Sequence, residues 1–187
     1  CIRDSKNTEN MQIKEVSLGY LHSAAITEDG SLYMWGHNNS GQLGNGTTGD
    51  STTPIKIMDH LQTVSLGRIH SAAITEDGSL YMWGSNYFGE LGNGTTEDST
   101  TPIKIMDHVQ TVRLWDHSAA ITEDGSLYMW GYNNSGQLGN GTNENSLTPI
   151  KIMDHVKTVS LGWDHSATIT EDGSLYTVSY THLTLPT

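Results

Sequence analysis

The chain has 187 residues, a formal net charge of −12 with histidine neutral, a pI near 4.9 and one cysteine. Acidity of this degree opposes binding to phosphate backbones, because nucleic-acid binders present a basic stripe. The lone Cys1 excludes a disulfide framework and a cysteine metal site, and no stretch approaches the length of a membrane-spanning helix, so insertion into a membrane is not expected.

In chain order, residues 1–11 read as an irregular, foreign end without an apolar signal segment. From residue 12 one unit recurs. His22-Ser-Ala-Ala-Ile-Thr-Glu-Asp-Gly-Ser-Leu-Tyr-Met-Trp-Gly36 returns at 70–84 and 117–131, and in clipped form from His165 to Tyr176. The four histidines stand 48, 47 and 48 residues apart, a period that marks propellers and solenoids. Within the second unit, alternation of period two predicts strands at Thr63–Gly67, Ser71–Thr75 and Ser79–Trp83, with Asp77-Gly78 as a tight hairpin between the last two. A long polar loop from Gly84 leads to a fourth strand, Thr101–Met106, whose Pro102 suits a sheet edge. The small Ser71-Ala72-Ala73 stretch is placed near the axis, with Leu80, Met82 and Trp83 further out. Four short antiparallel strands per repeat are the layout of a β-propeller blade, whose faces are buried only by neighbouring blades. Residues 12–176 are therefore read as an all-β, partial β-propeller of about three and a half four-stranded blades, and 177–187 as a foreign or disordered tail.

The run Val64-Ser-Leu-Gly-x-x-His70-Ser-Ala-Ala-Ile-Thr-x-Asp77-Gly78-x-Leu-Tyr-x-Trp83-Gly84-x-Asn86-x-x-Gly89-x-Leu91-Gly92-x-Gly94, closed by Thr101-Pro102, resembles the repeat of the regulator of chromosome condensation family. The resemblance implies a seven-bladed ring, used in different members for nucleotide exchange on a small GTPase, chromatin docking or inhibition of a partner enzyme. Departures from the pattern stand out. The third unit, Leu114-Trp115-Asp116-His117, lacks the glycine present at 19, 67 and 162, which leaves the geometry of that turn open. The second carries Glu90 where the others carry Gln42 and Gln137. The fourth has Thr177-Val178-Ser179 in place of Met-Trp-Gly. Cys1–Ser5 and Ser179–Thr187 resemble translated sequencing-adaptor stretches, and the chain is read as a bacterial, metagenomic fragment of a longer repeat protein. If it is whole, an open arc is expected to self-associate.

Catalysis usually breaks repeat symmetry at one place. His22, His70, His117 and His165 are instead equivalent, which predicts a structural ring bonded to a neighbouring turn; His60, His108 and His155, in the repeated Met-Asp-His turn, are read the same way. The paired carboxylates, such as Glu76-Asp77, lie in hairpin turns where Asp serves backbone geometry. Gly41-Gln-Leu-Gly44-Asn-Gly46 has no following helix and no lysine, so it fails the test for a phosphate-binding loop. The Asn- and Asp-rich loops lack the carboxylate spacing of a dedicated calcium site. Sequons at Asn38, Asn45, Asn93, Asn133 and Asn140 are repeated loop chemistry. No catalytic residue, cofactor or metal is assigned.

Near-identical repeats make their differences informative. The loops at one end of the blades hardly change, whereas those at the other end vary: Tyr20-Leu21, Arg68-Ile69, Trp115-Asp116 and Trp163-Asp164 in one loop, and Tyr87-Phe88 and Tyr132 among the variations in the other. Aromatic and Arg side chains are enriched at binding hot spots. The reading is a non-enzymatic protein-interaction module with these residues as its contact surface. Its rivals are exchange or regulation on a small GTPase and a carbohydrate-binding propeller. An extracellular or surface location is favoured over the cytoplasm.

Overall fold

Alternating strand patterns joined by glycine turns give fifteen strands in the computed structural model, which describes residues 11–179 and contains no helix among them. The first blade is β1 (Ile13–Leu18), β2 (His22–Thr27), β3 (Leu32–Gly36) and β4 (Ser51–Met58). The second is β5 (Leu61–Leu66), β6 (His70–Thr75), β7 (Leu80–Gly84) and β8 (Ser99–Met106). The third is β9 (Val109–Leu114), β10 (His117–Thr122), β11 (Leu127–Gly131) and β12 (Ser146–Met153). The fourth holds β13 (Val156–Leu161), β14 (His165–Thr170) and β15 (Leu175–Ser179). Every sheet is antiparallel, with each strand beside its sequence neighbour. This is the partial β-propeller that the repeat predicts.

Three details differ from the sequence reading. The 76–79 hairpin is a β-turn followed by a bulge: Gly78 N–H donates to Thr75 O (2.9 Å) and Thr75 N–H to Ser79 O (3.0 Å), with Gly78 at φ +80° as the left-handed residue. The Asp77 carboxylate holds the turn by accepting from Thr75 Oγ1 and Ser79 N–H. The fourth strand starts two residues early, at Ser99, and Pro102 falls where the β7–β8 register shifts, so its missing N–H interrupts no ladder bond. The strands that meet around the axis are β1, β5, β9 and β13, so the Ser-Ala-Ala strand is second from the axis. Its alanines, Ala72 and Ala73, are fully buried between sheets.

The boundary drawn after Tyr176 falls inside a strand. Thr177, Val178 and Ser179 pair with Ala167, Ser166 and His165 of β14. The readings for residues 1–10 and 180–187 lie outside the described residues.

The core is a series of inter-blade layers. Between blades one and two, Ile26, Leu32, Met34 and Leu43 meet Val64, Leu66, Ala73 and Trp83; between two and three, Ile74, Leu80, Met82 and Leu91 meet Val112, Leu114, Ala120 and Trp130. Trp83 and Trp130 are completely buried, and each indole N–H donates to a main-chain carbonyl of the preceding blade, Trp83 to Gln42 O (2.9 Å) and Trp130 to Glu90 O (2.8 Å). Since every blade depends on the next for burial, cohesion of the arc resides in these layers.

Candidate interaction surface

Chain direction sorts the loops onto two ends. In each blade the loop from the first to the second strand and, in the three four-stranded blades, the loop from the third to the fourth share one end, here the variable end; the turns from the second to the third strand and the links between blades share the other.

The variable end stands on two repeated supports. In the first, His22 Nε2 lies 3.0 Å from Ser71 Oγ of the next blade, His70 Nε2 3.3 Å from Ser118 Oγ, and His117 Nε2 2.7 Å from Ser166 Oγ. Each serine spends its one proton on a main-chain carbonyl, Ser71 on Gln42 O, Ser118 on Glu90 O and Ser166 on Gln137 O. The serine oxygen must therefore accept, which assigns the proton to Nε2 of each histidine. Burial keeps the rings neutral, lowering the pKa of His22 to about 4, of His70 to about 3 and of His117 to about 4. His22, His70 and His117 are structural, as the symmetry of the repeat indicates, but they bond the adjoining blade and not a turn; His165, in the last described blade, is exposed.

The second support was missed in the sequence. Asn86 is fully buried, and its amide donates to Asn93 Oδ1, Thr95 O and Glu97 O while its Oδ1 accepts from Leu91 N–H; its own N–H donates to Asp98 Oδ1. Asn38 and Asn133 make the same set. One amide thus satisfies the interior of each long loop, β3–β4, β7–β8 and β11–β12. With their side-chain nitrogens enclosed and committed, Asn38 and Asn133 are not accessible sequons. The recurrence of Asn two residues after each Trp-Gly pair was the available signal.

On this frame the variable residues assemble across blades. The Arg68 guanidinium stands 3.7 Å from the Asp116 carboxylate of the next blade, and Arg68 N–H donates to Trp115 O. In the third unit Trp115 itself closes the shortened turn, its N–H donating to His117 O (2.9 Å) where Gly67 bonds His70 O in the second. Phe88 packs between Tyr87 (4.8 Å, edge-on) and Tyr132 of the third blade (4.7 Å). Arg68 and Asp116, and Phe88 and Tyr132, therefore bridge blades two and three at two places. Tyr20, Leu21, Tyr87 and Trp163 are more than half exposed, and Trp115 is 41% exposed. Arg68 and Asp164 also face solvent, whereas Ile69, Phe88, Asp116 and Tyr132 are half-buried. Ile69 contributes its carbonyl to Ser85 N–H, linking the two loops of its own blade.

Glu90 lies beneath this surface. It is 4% exposed, and Phe88 N–H donates to its Oε2 (2.7 Å). Burial raises its pKa to about 7, against the pull of the main-chain donors and with smaller contributions from Asp116 and Asp98. Asp116 is likewise raised by burial, with Arg68 opposing. At the opposite end the pattern is uniform, with exposed pairs of Lys56 with Asp59, Lys104 with Asp107 and Lys151 with Asp154, each 2.6 Å. Among the described residues, no group of three or more His, Cys, Asp or Glu could hold a metal ion.

Comparison with known proteins agrees with this architecture. The RCC1-like domain profile matches residues 2–182. Prp20p from Saccharomyces cerevisiae superposes with a TM-score of 0.80 at 23% identity, covering 93% of this chain and 47% of that one. The ultraviolet-B receptor UVR8 of Arabidopsis thaliana is 42% identical over 53 residues, 28% of this chain and 12% of the receptor. Ras guanine nucleotide exchange factor C of Dictyostelium discoideum is 43% identical over 53 residues, 28% of this chain and 4% of that protein. The chain thus spans a small part of these curated relatives and about half of the solved propeller.

Proposed function

The chain belongs to the RCC1-like domain family, and from that premise we propose that it is a non-catalytic protein-binding module whose contact surface is the variable end. One observation carries the reading: differences between otherwise near-identical repeats coincide with exposed aromatic side chains that the fold gathers at one end. Tyr20, Tyr87, Trp115 and Trp163 offer large, stiff apolar area, and hot spots favour such residues. The constant end supplies no comparable set. Family relatives fit a binding role, since Prp20p is described by its binding to Gsp1p and histones and one matched protein is a Ras guanine nucleotide exchange factor.

A direct test measures affinity by calorimetry against a panel of purified small GTPases in nucleotide-free and loaded forms, and against proteins recovered by cross-linking. Replacing Trp115 and Trp163 together by Ala is expected to weaken a genuine partner at least about tenfold, the equivalent of 1.4 kcal/mol. Replacing Glu76 and Glu123 at the constant end is expected to leave affinity unchanged. If the tryptophan variant binds as tightly as the parent chain, the surface is misassigned.

A further inference from the structure

One set of equivalent positions differs sharply between the blade junctions. The first junction carries Tyr20, Gln42 and Ile69 there, and the third Trp115, Gln137 and Asp164; the second carries Arg68, Glu90 and Asp116. Two acids and one base therefore meet where blade two touches blade three. Glu90 lies against the Asp116-His117 backbone: a Cβ built on Gly131 would stand 3.3 Å from both Glu90 Cα and His117 Cα, and 3.7 Å from Asp116 O. Glu90 is buried and the Asp116 side chain is 16% exposed, whereas the Arg68 side chain is 53% exposed and stands 3.7 Å from the Asp116 carboxylate. That separation is well beyond the roughly 2.8 Å of a charge-assisted hydrogen bond. The other ionisable neighbours are committed elsewhere. Asp98 accepts from Asn86 N–H, the neutral rings of His70 and His117 bond Ser118 and Ser166, and Asp164 acts on Asp116 from blade four. Among the described residues, Arg68 is the one cation paired with any of these acids.

We infer that Arg68, Glu90 and Asp116 form a proton-operated latch between blades two and three: while Glu90 is protonated Arg68 lies outward on the variable end, and when Glu90 ionises the guanidinium turns inward to both carboxylates. Burial places the Glu90 transition at about pH 7. Below it one carboxylate faces one guanidinium, and the loose pair leaves Arg68 free to face water. Above it a second negative charge is enclosed beside the first, and an opposite charge drawn close is what offsets it. Arginine suits the task, because its planar fork carries five donors and can serve two carboxylates at once. The loops need not move, since Arg68 N–H already donates to Trp115 O and side-chain rotation suffices. The variable end thereby offers a cation in mild acid and withdraws it in mild alkali. The latch works within the chain itself, so it stands or falls apart from the binding role proposed above.

The test is a pH titration of the full chain by NMR, with isotope in the side-chain carboxyls and in the arginine guanidinium groups. The Arg68 Nε–H signal is expected to shift with the Glu90 carboxyl at one midpoint, and rotation of the guanidinium to slow above it. Glu90→Gln, which installs the residue of the other two junctions, is expected to remove that step while the chain stays folded. Arg68→Gln is expected to raise the Glu90 midpoint by about one pH unit, a tenfold tighter hold on the proton, because the ionised carboxyl loses its cation. A freely rotating Arg68 on both sides of the Glu90 transition, a step that persists in Glu90→Gln, or a Glu90 midpoint unmoved by Arg68→Gln would overturn the assignment.

Discussion

Replacing Glu90 by the glutamine found at positions 42 and 137 is expected to stabilise the fold in alkaline solution and not in acid. The carboxyl is raised from an ordinary 4.5 to about 7 by burial, a displacement worth roughly 3 kcal/mol at 1.36 kcal/mol per pH unit. A group whose pKa is higher when folded contributes its full stability below the unfolded value, here 4.5, and loses it as pH rises through 7. At pH 8 the parent chain therefore carries that burden, and Glu90→Gln removes it. Acceptance from Phe88 N–H survives, because Gln42 Oε1 accepts from Ser40 N–H (3.0 Å) and Gln137 Oε1 from Ser135 N–H (2.9 Å) in the same way. The new amide hydrogens are less well placed: Gln42 Nε2 finds His37 Nδ1, Gln137 Nε2 has no partner, and Ser85 stands where His37 does. That costs about 1 kcal/mol. The expected net gain is about 2 kcal/mol at pH 8 and near zero at pH 5. Urea unfolding at both pH values reads it as a shift in midpoint at constant slope. Equal gains at both pH values, or a loss at pH 8, would refute the claim that Glu90 is buried and charged in the folded chain.

Because His22, His70 and His117 have pKa values lowered on folding to between about 3 and 4, their contribution is complete above pH 6.5 and falls as the unfolded chain protonates below it. Roughly 2 kcal/mol per ring should be lost by pH 5, an acid limb that thermal melts will show and that Glu90→Gln should steepen. Trp130→Ala, which empties a core position and strips a donor from Glu90 O, should cost about 3–5 kcal/mol; Trp163→Ala, at an exposed site, should stay within about 0.5 kcal/mol of the parent chain in the same denaturation assay. His108 sits at φ +59°, so His108→Gly should relieve roughly 1 kcal/mol of left-handed backbone cost, its exposed pair with Glu123 adding little. An unchanged or lowered midpoint would show the His108 backbone to be unstrained.

Much of this protein is decided within a few residues of sequence. The spacing of the histidines, the Thr-Glu-Asp-Gly-Ser turns and the Trp-Gly-x-Asn stretch determine where strands begin and end, how many stand in a blade, and which loops vary, because turn geometry and period-two burial are local properties. What the sequence alone could not decide is whatever depends on a residue about one repeat away. The proton on His22 Nε2 is assigned by Ser71, the enclosure of the Glu90 main chain by Ser118 and Trp130 of the next blade, and the strand nearest the axis by packing of successive blades. Thr177-Val178-Ser179 was set aside as foreign because its residues break the repeat, yet backbone pairing is indifferent to side-chain identity and carries β15 to Ser179. Val178 stands in register with Ser166 where the second and third blades place Trp83 and Trp130, and it is Gly139 of the preceding blade that it faces. Burial and hydrogen-bond partners are settled between blades, and only the assembled arc brings those blades together.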